Sequence, residues 1–156
     1  MSLARVAPVL LVEPRESAAT IIFELLQRLG FESIETVSDS DAALNLLTEK
    51  GPRLVIADMQ VAPMSGLQFL RTIRSDERLK RTPFIIAAES LTAAEAVAIK
   101  NAGVDSFLLK PFRAEVLELK VAAAFKARPK ARALPEQTMK KSLSAALGRR
   151  FERNRN

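Results

Sequence analysis

Residues 54–67 read LVIADMQVAPMSGL, and this stretch decides the architecture. Leu54–Ala57 is an unbroken apolar run, and Arg53–Asp58 as a whole reads as a strand buried on both faces. Asp58 stands where the apolar run ends. A short loop follows, and then a helix is expected over Gly66–Arg74, with Leu67, Leu70 and Ile73 facing inward. A strand that is apolar on both faces belongs to a parallel sheet covered by helices on each side.

The same strand-helix unit repeats in both directions. Toward the N-terminus, Pro8–Glu13 reads as a strand. Arg15–Leu29 reads as a helix, with apolar positions Ala18, Ile21, Ile22, Leu25, Leu26 and Leu29 and with Gly30 placed to end it. Ser33–Val37 is a second strand, and Ser38-Asp39-Ser40-Asp41 supplies N-cap chemistry for a helix over Ala42–Glu49. Toward the C-terminus, Pro83–Ala88 is a fourth strand, and Thr92–Asn101 a helix that Gly103 can terminate. Asp105–Leu109 is a fifth strand, and Arg113–Phe125 a fifth helix. Right-handed crossovers then give an α/β, three-layer, doubly wound (βα)5 fold. In such a fold ligands sit at the carboxyl ends of the strands, near a topological switch point.

Composition narrows the function classes. A chain of 156 residues has room for one domain and a short appendage. No apolar run approaches the roughly 20 residues that span a bilayer, so no transmembrane segment is expected. Met1–Pro8 lacks the apolar core of a signal peptide, and with no cysteine the expected location is cytoplasmic. Histidine is also absent, which removes Ser-His and Cys-His catalysis, His-ligated metals and any role as a phosphohistidine donor. Residues 1–125 carry 14 Lys/Arg against 16 Asp/Glu, a net of −2. Residues 126–156 carry 10 against 2, a net of +8, so the chain's charge of +6 belongs to its tail.

Three residues stand where strands run out: Glu13, Asp58 and Lys110, the last followed at once by Pro111. Taken singly, each has an ordinary reading, such as a loop acid, a helix N-cap or a surface lysine. They meet if strands one, three and five are neighbours. Two carboxylates brought together repel unless a cation intervenes. Mg²⁺ suits the place, since it takes one or two carboxylates, several waters and a phosphate oxygen. Asp58 would then be a carboxylate nucleophile toward a phosphoryl donor. Lys110 would balance charge on the equatorial oxygens of the transition state.

The segments LLVEP, LVIADMQVAPMSGL and FLLKPF, in this order of elements, resemble the receiver domain of two-component response regulators. The resemblance covers roughly residues 7–125 and rests most on the Asp58…Met64-x-Gly66 spacing and on Lys110-Pro111-Phe112. It implies a flavodoxin-like (CheY-like) sheet in the order 2-1-3-4-5. It implies that Asp58 is the phosphoacceptor, that Glu13 is the first of an acidic pair holding Mg²⁺, and that the Gln60 backbone carbonyl is a further metal ligand. Lys110 matches the family's phosphoryl-contacting lysine, and the Lys110–Pro111 bond is implied to be cis.

Several positions depart from the family pattern. Pro14 stands where the second acid belongs and cannot ligate metal. Ala88 stands at the Thr/Ser switch position and carries no hydroxyl, and Ser90, two residues on, is not expected to substitute. Phe107 replaces the usual rotating tyrosine. Val61-Ala62-Pro63 moves the family's loop proline one place later.

The expected function is a single-domain response regulator that takes a phosphoryl group from a histidine kinase or phosphotransfer protein onto Asp58, with weakly bound Mg²⁺. It would signal by protein contacts through the face of helix four, strand five and helix five. The alternative is a pseudo-receiver that works by protein contact without phosphorylation. Two enzyme readings fit poorly. A haloacid-dehalogenase site wants a second acid at Gln60, and a flavin-type phosphate loop is incompatible with Glu13-Pro14-Arg15-Glu16. At most the chain would catalyse its own phosphoryl transfer and dephosphorylation.

After Phe125 a basic linker is expected over Lys126–Arg132, and then a helix from Leu134-Pro135-Glu136. Met139, Leu143, Leu147 and Phe151 form one apolar stripe on it, interrupted by Gly148. The body is thus residues 1–125 and the tail residues 126–156. Docking on the body or pairing in a homodimer is the favoured role for the tail. Acidic partners or a membrane surface are alternatives. Nucleic acid is not expected, because no reading motif accompanies the charge.

Overall fold

Side chains alternate across a strand, and in the computed structural model, which describes residues 7–128, that alternation sorts the core into two layers. The elements run β1 (Val9–Val12), α1 (Glu16–Arg28), β2 (Ile34–Val37), α2 (Ser40–Lys50), β3 (Leu54–Asp58), α3 (Gly66–Ser75), β4 (Phe84–Ala88), α4 (Ala93–Asn101), β5 (Ser106–Leu109) and α5 (Ala114–Ala127). Val9, Leu11, Leu54, Ile56, Ile85 and Leu108 pack on one face with Ile22, Leu26, Leu117 and Val121 of α1 and α5. Leu10, Val12, Val55, Ala57, Phe84 and Ile86 pack on the other with Leu47, Phe69, Leu70, Ile73 and Ile99 of α2, α3 and α4. Each aliphatic side chain so buried contributes ~1.5–3 kcal/mol relative to leaving it in water. This burial is what holds the helices on both faces of the sheet.

The sheet is parallel throughout, in the order β2-β1-β3-β4-β5. Of the three strands whose ends carry the candidate residues, only β1 and β3 are neighbours. β4 lies between β3 and β5, in the order 2-1-3-4-5 that the resemblance implied, so a side chain from β5 must span the end of β4 to reach β3. The strand order reverses beside β1 and β3, the place where a doubly wound sheet opens a crevice.

Local chemistry explains the helix boundaries. Asp39 Oδ1 accepts the Ala42 N–H at 2.7 Å, which makes it the N-cap of α2. Ser65 with Gln68, and Thr92 with Glu95, form capping boxes at the starts of α3 and α4. Gly30 has φ 97°. Its N–H bonds to the Gln27 carbonyl and that of Phe31 to the Leu26 carbonyl, so it closes α1 in the left-handed conformation that favours glycine.

The expected linker starts as the last turn of α5, which includes Lys126 and Ala127. The expected tail helix, with its stripe from Met139 to Phe151, lies outside the described residues. Among the described residues no helix is long and apolar enough to cross a membrane.

Candidate functional site

The residue after β1, Glu13, still follows the sheet: its N–H bonds to the Val37 carbonyl at 3.0 Å. Its carboxylate is buried, 2 % exposed, and turned back over the strand end. There Glu13 Oε2 accepts the Arg15 N–H at 3.1 Å, the bond that starts α1 in place of a side-chain cap. Asp58 is the last residue of β3 and is 6 % exposed. Its Oδ2 accepts the Gln60 N–H at 2.8 Å, an Asx-type turn that fixes the carboxylate against its own loop.

Lys110 continues the ladder beyond β5, its N–H bonding to the Ala88 carbonyl at 2.8 Å. From there its side chain spans the end of β4. Lys110 Nζ donates to Asp58 Oδ1 at 2.5 Å and also to Glu13 Oε1. The three residues singled out from the sequence therefore meet, with one ammonium bridging two buried carboxylates. The Lys110–Pro111 bond is cis, as is Ala62–Pro63.

The loop after Asp58 is shaped by close backbone approach. A Cβ on Gly66 would fall 2.8 Å from the Asp58 carbonyl oxygen and 2.9 Å from the Met59 Cα. Both obstacles are backbone and cannot swing aside. The spacing from Asp58 to Gly66 thus reflects a physical need: only glycine lets α3 begin against the end of β3. Ser40 ties the other side of the loop. Its N–H bonds to the Ala62 carbonyl and its Oγ accepts the Met64 N–H, both at 2.9 Å. Sequence reasoning gave Ser40 only an N-cap role, since nothing local reveals a bond across 24 residues.

The departures can also be placed. Pro14, Gln60, Ala88 and Ser90 line a cavity of about 340 Å³ that Asp58 also borders. Phe107 stands on the outer face of β5, half-exposed, with Lys120 Nζ 5.2 Å from its ring centroid.

Sequence reasoning missed two further residues of that lining, Arg15 and Glu89. Arg15 Nη1 lies 2.5 Å from Glu89 Oε1, and Arg15 Nε lies 4.0 Å from Glu13 Oε2. The guanidinium is held more firmly charged than usual, first by its hydrogen bond to Glu89, then by that carboxylate's charge, with Glu13 and Asp58 adding to it. A signal was present: Arg15 directly follows Pro14, and Glu89 directly follows Ala88.

The donor set can be tested against Mg²⁺. Among the described residues no group of three or more Asp, Glu, His or Cys side chains is placed to hold a metal. What the site offers is the pair Glu13 and Asp58, with Gln60 beside Asp58 in the cavity lining. Mg²⁺ needs only one or two carboxylates when water and a phosphate oxygen complete its shell. The residues fit the ion at the low end of its requirement.

Comparison with known proteins agrees with this geometry. Residues 9–122 match the response regulator receiver domain family. Chemotaxis protein CheY of Pseudomonas aeruginosa is 31 % identical over 117 residues, which is 75 % of this chain and 94 % of that protein. The crystal structure of chemotaxis response regulator CheY4 of Vibrio cholerae superposes with a TM-score of 0.68 at 26 % identity, covering 76 % of this chain and 98 % of that one. The receiver domain of a Pseudomonas aeruginosa sensor histidine kinase superposes with a TM-score of 0.64 at 25 % identity, over 74 % of this chain and 93 % of that one. That structure holds a magnesium ion in its active site cleft.

Proposed function

This chain belongs to the response regulator receiver domain family of two-component signalling, and from that premise we propose that it accepts a phosphoryl group on Asp58 and signals through protein contacts. One observation carries the reading. Asp58 is buried against Lys110 yet borders a cavity of about 340 Å³, room enough for a phosphoryl group. A carboxylate oxygen of Asp58 attacks the phosphorus, and the bond from phosphorus to the donor's leaving atom breaks. Lys110 sits 2.5 Å from Asp58 Oδ1 at rest, and its ammonium stays beside the oxygens on which charge gathers. Glu13, together with Asp58 and the Gln60 carbonyl, would hold Mg²⁺, which when bound supplies positive charge to the phosphoryl oxygens. Glu13 also holds Lys110 over the acceptor.

The donor in this reading is a sensor histidine kinase or a phosphotransfer protein. Output runs through α4, β5 and α5. Of the six large apolar residues exposed among the described ones, five lie there: Val97, Phe107, Leu109, Val116 and Leu119. Exposed apolar side chains gathered on these three elements favour a protein-contact face. The proposed organisation is a receiver body over residues 1–125 and a basic tail over 126–156, in a cytoplasmic protein whose tail docks or dimerises.

Pro14 and Ala88 favour the second reading, a pseudo-receiver that signals without phosphate. Incubation with acetyl phosphate and Mg²⁺, followed by intact-mass measurement, separates the two. The proposed function predicts one phosphoryl adduct on the wild type and none on Asp58→Asn. An unmodified wild type selects the pseudo-receiver, and an adduct that survives Asp58→Asn overturns Asp58 as the acceptor.

A further inference from the structure

The two positions that lost polar function, Pro14 and Ala88, are each followed at once by a charged residue, and those two charges meet over the acceptor. Arg15 Nη1 and Glu89 Oε1 are 2.5 Å apart, and both residues line the cavity that Asp58 borders. Ala88, at the end of β4, offers that cavity no donor. Arg15 offers five, on a planar guanidinium.

We propose that Arg15 is a second phosphoryl-contacting cation of this site, held by Glu89 at rest and transferred to the phosphoryl group when Asp58 is modified. The inference rests on the reading of Asp58 as the acceptor. It adds a contact that β4 cannot supply through Ala88.

The competition for Arg15 favours the phosphoryl group. The pair with Glu89 is solvent-exposed on both sides, 54 % for the Arg15 side chain and 65 % for that of Glu89, so it is screened and weak. A phosphoryl group carries up to two charges and presents oxygens that a guanidinium grips in bidentate fashion. It would be attached to a carboxylate that borders the same cavity as Arg15. Glu13 steers the exchange: its Oε2 holds the Arg15 N–H and lies 4.0 Å from Nε, which keeps the residue anchored while its far end changes partner.

Two consequences follow. Arg15 stabilises charge developing on the phosphoryl oxygens, so it accelerates phosphorylation. Its departure also leaves Glu89 unpaired at the entrance to α4. The change of state is thereby delivered to the apolar α4–β5–α5 face by release of an ion pair instead of by movement of a hydroxyl.

The test follows the initial rate of adduct formation from acetyl phosphate and Mg²⁺ by intact mass. In each turnover the Asp58 carboxylate forms a bond to phosphorus and acetate leaves with the electron pair of the broken bond. The variants are Arg15→Ala, Glu89→Gln and the two combined. Arg15→Ala is expected to be slower by about tenfold, the effect of losing one charge-assisted contact. Glu89→Gln frees the guanidinium and is expected to be several-fold faster. In the Arg15→Ala background, Glu89→Gln is expected to have no effect.

Equal acceleration by Glu89→Gln in both backgrounds overturns the proposal, because Glu89 would then act only by its own charge. A wild-type rate in Arg15→Ala overturns it too, while leaving Asp58 as the acceptor. A wild type that takes no adduct overturns both this inference and the function beneath it. Arg15 and Glu89 are exposed, so unchanged thermal melting of the unmodified variants is expected and separates these effects from misfolding.

Discussion

At the carboxyl edge of the sheet one lysine serves two carboxylates, whereas at the amino edge two arginines serve one. Asp105, just before β5, accepts from Arg74 Nη2 at 3.0 Å, from Arg128 Nε at 2.8 Å and from the Phe84 N–H at 2.9 Å. The remaining nitrogens of Arg74 bond to the carbonyls of Gly103, Lys80 and Thr82. Burial lowers Arg74 to about 10, against the opposing pull of Asp105, so it is charged at neutral pH. All three nitrogens of the Arg74 guanidinium have a fixed acceptor, and the cluster ties the end of α3 and the end of α5 to the starts of β4 and β5. The carboxyl-edge cluster has the opposite charge balance and borders a cavity. One edge is arranged to hold and the other to exchange partners.

Breaking the amino edge has the largest expected effect. Asp105→Ala leaves two guanidinium groups without their carboxylate and should cost about 3–5 kcal/mol, read from urea denaturation. A loss below about 1 kcal/mol, the range of a surface ion pair, would contradict the role assigned to that cluster.

Breaking the carboxyl edge is expected to be severe but repairable. Lys110→Met leaves Glu13 and Asp58 facing each other without their cation, at a cost of about 3 kcal/mol. Adding Asp58→Asn removes one of the two charges and should restore most of that loss. No such rescue is expected for Asp105→Ala from a single arginine substitution, since the other arginine stays unpaired. If Asp58→Asn fails to rescue Lys110→Met, excess negative charge is not what the lysine offsets.

Gly66→Ala tests the geometry that holds the acceptor loop. Its Cβ meets backbone at 2.8 Å and 2.9 Å. A loss of about 1–3 kcal/mol is expected, as for overpacking elsewhere. Retention of full stability would show that α3 does not need its close approach to Asp58.

Ala88→Thr should have the smallest effect on folding, within about 1.5 kcal/mol, because the added atoms lie beside the cavity. Its effect should appear in the response instead. The shift in melting temperature caused by phosphorylation should be larger in Ala88→Thr than in the wild type, and an unchanged shift would place the response elsewhere.

Much of this was legible in the sequence where the cause is local. The run Leu54–Asp58, the capping segment before α2 and the glycine ending α1 all act within a few residues, so periodicity and turn chemistry reveal them. Glu13, Asp58 and Lys110 could be singled out because each follows an apolar run. What stayed hidden depends on long sequence separation. The place of β4 between β3 and β5 is not written locally either, and only the family resemblance supplied it. Arg74 and Asp105 are 31 residues apart, and neither lies in a motif. Arg15 and Glu89 look like ordinary surface charges until the sheet sets the ends of β1 and β4 on either side of β3.

The central claim is that Asp58, bridged by Lys110 at rest, is the chemical acceptor. Tryptic mapping after incubation with acetyl phosphate and Mg²⁺ tests it most directly, since cleavage isolates residues 54–71, in which Asp58 is the single carboxylate side chain. The account predicts a phosphoryl group on that peptide that hydroxylamine removes, as it removes an acyl phosphate. An adduct on another peptide, one that resists hydroxylamine, or none at all would contradict it.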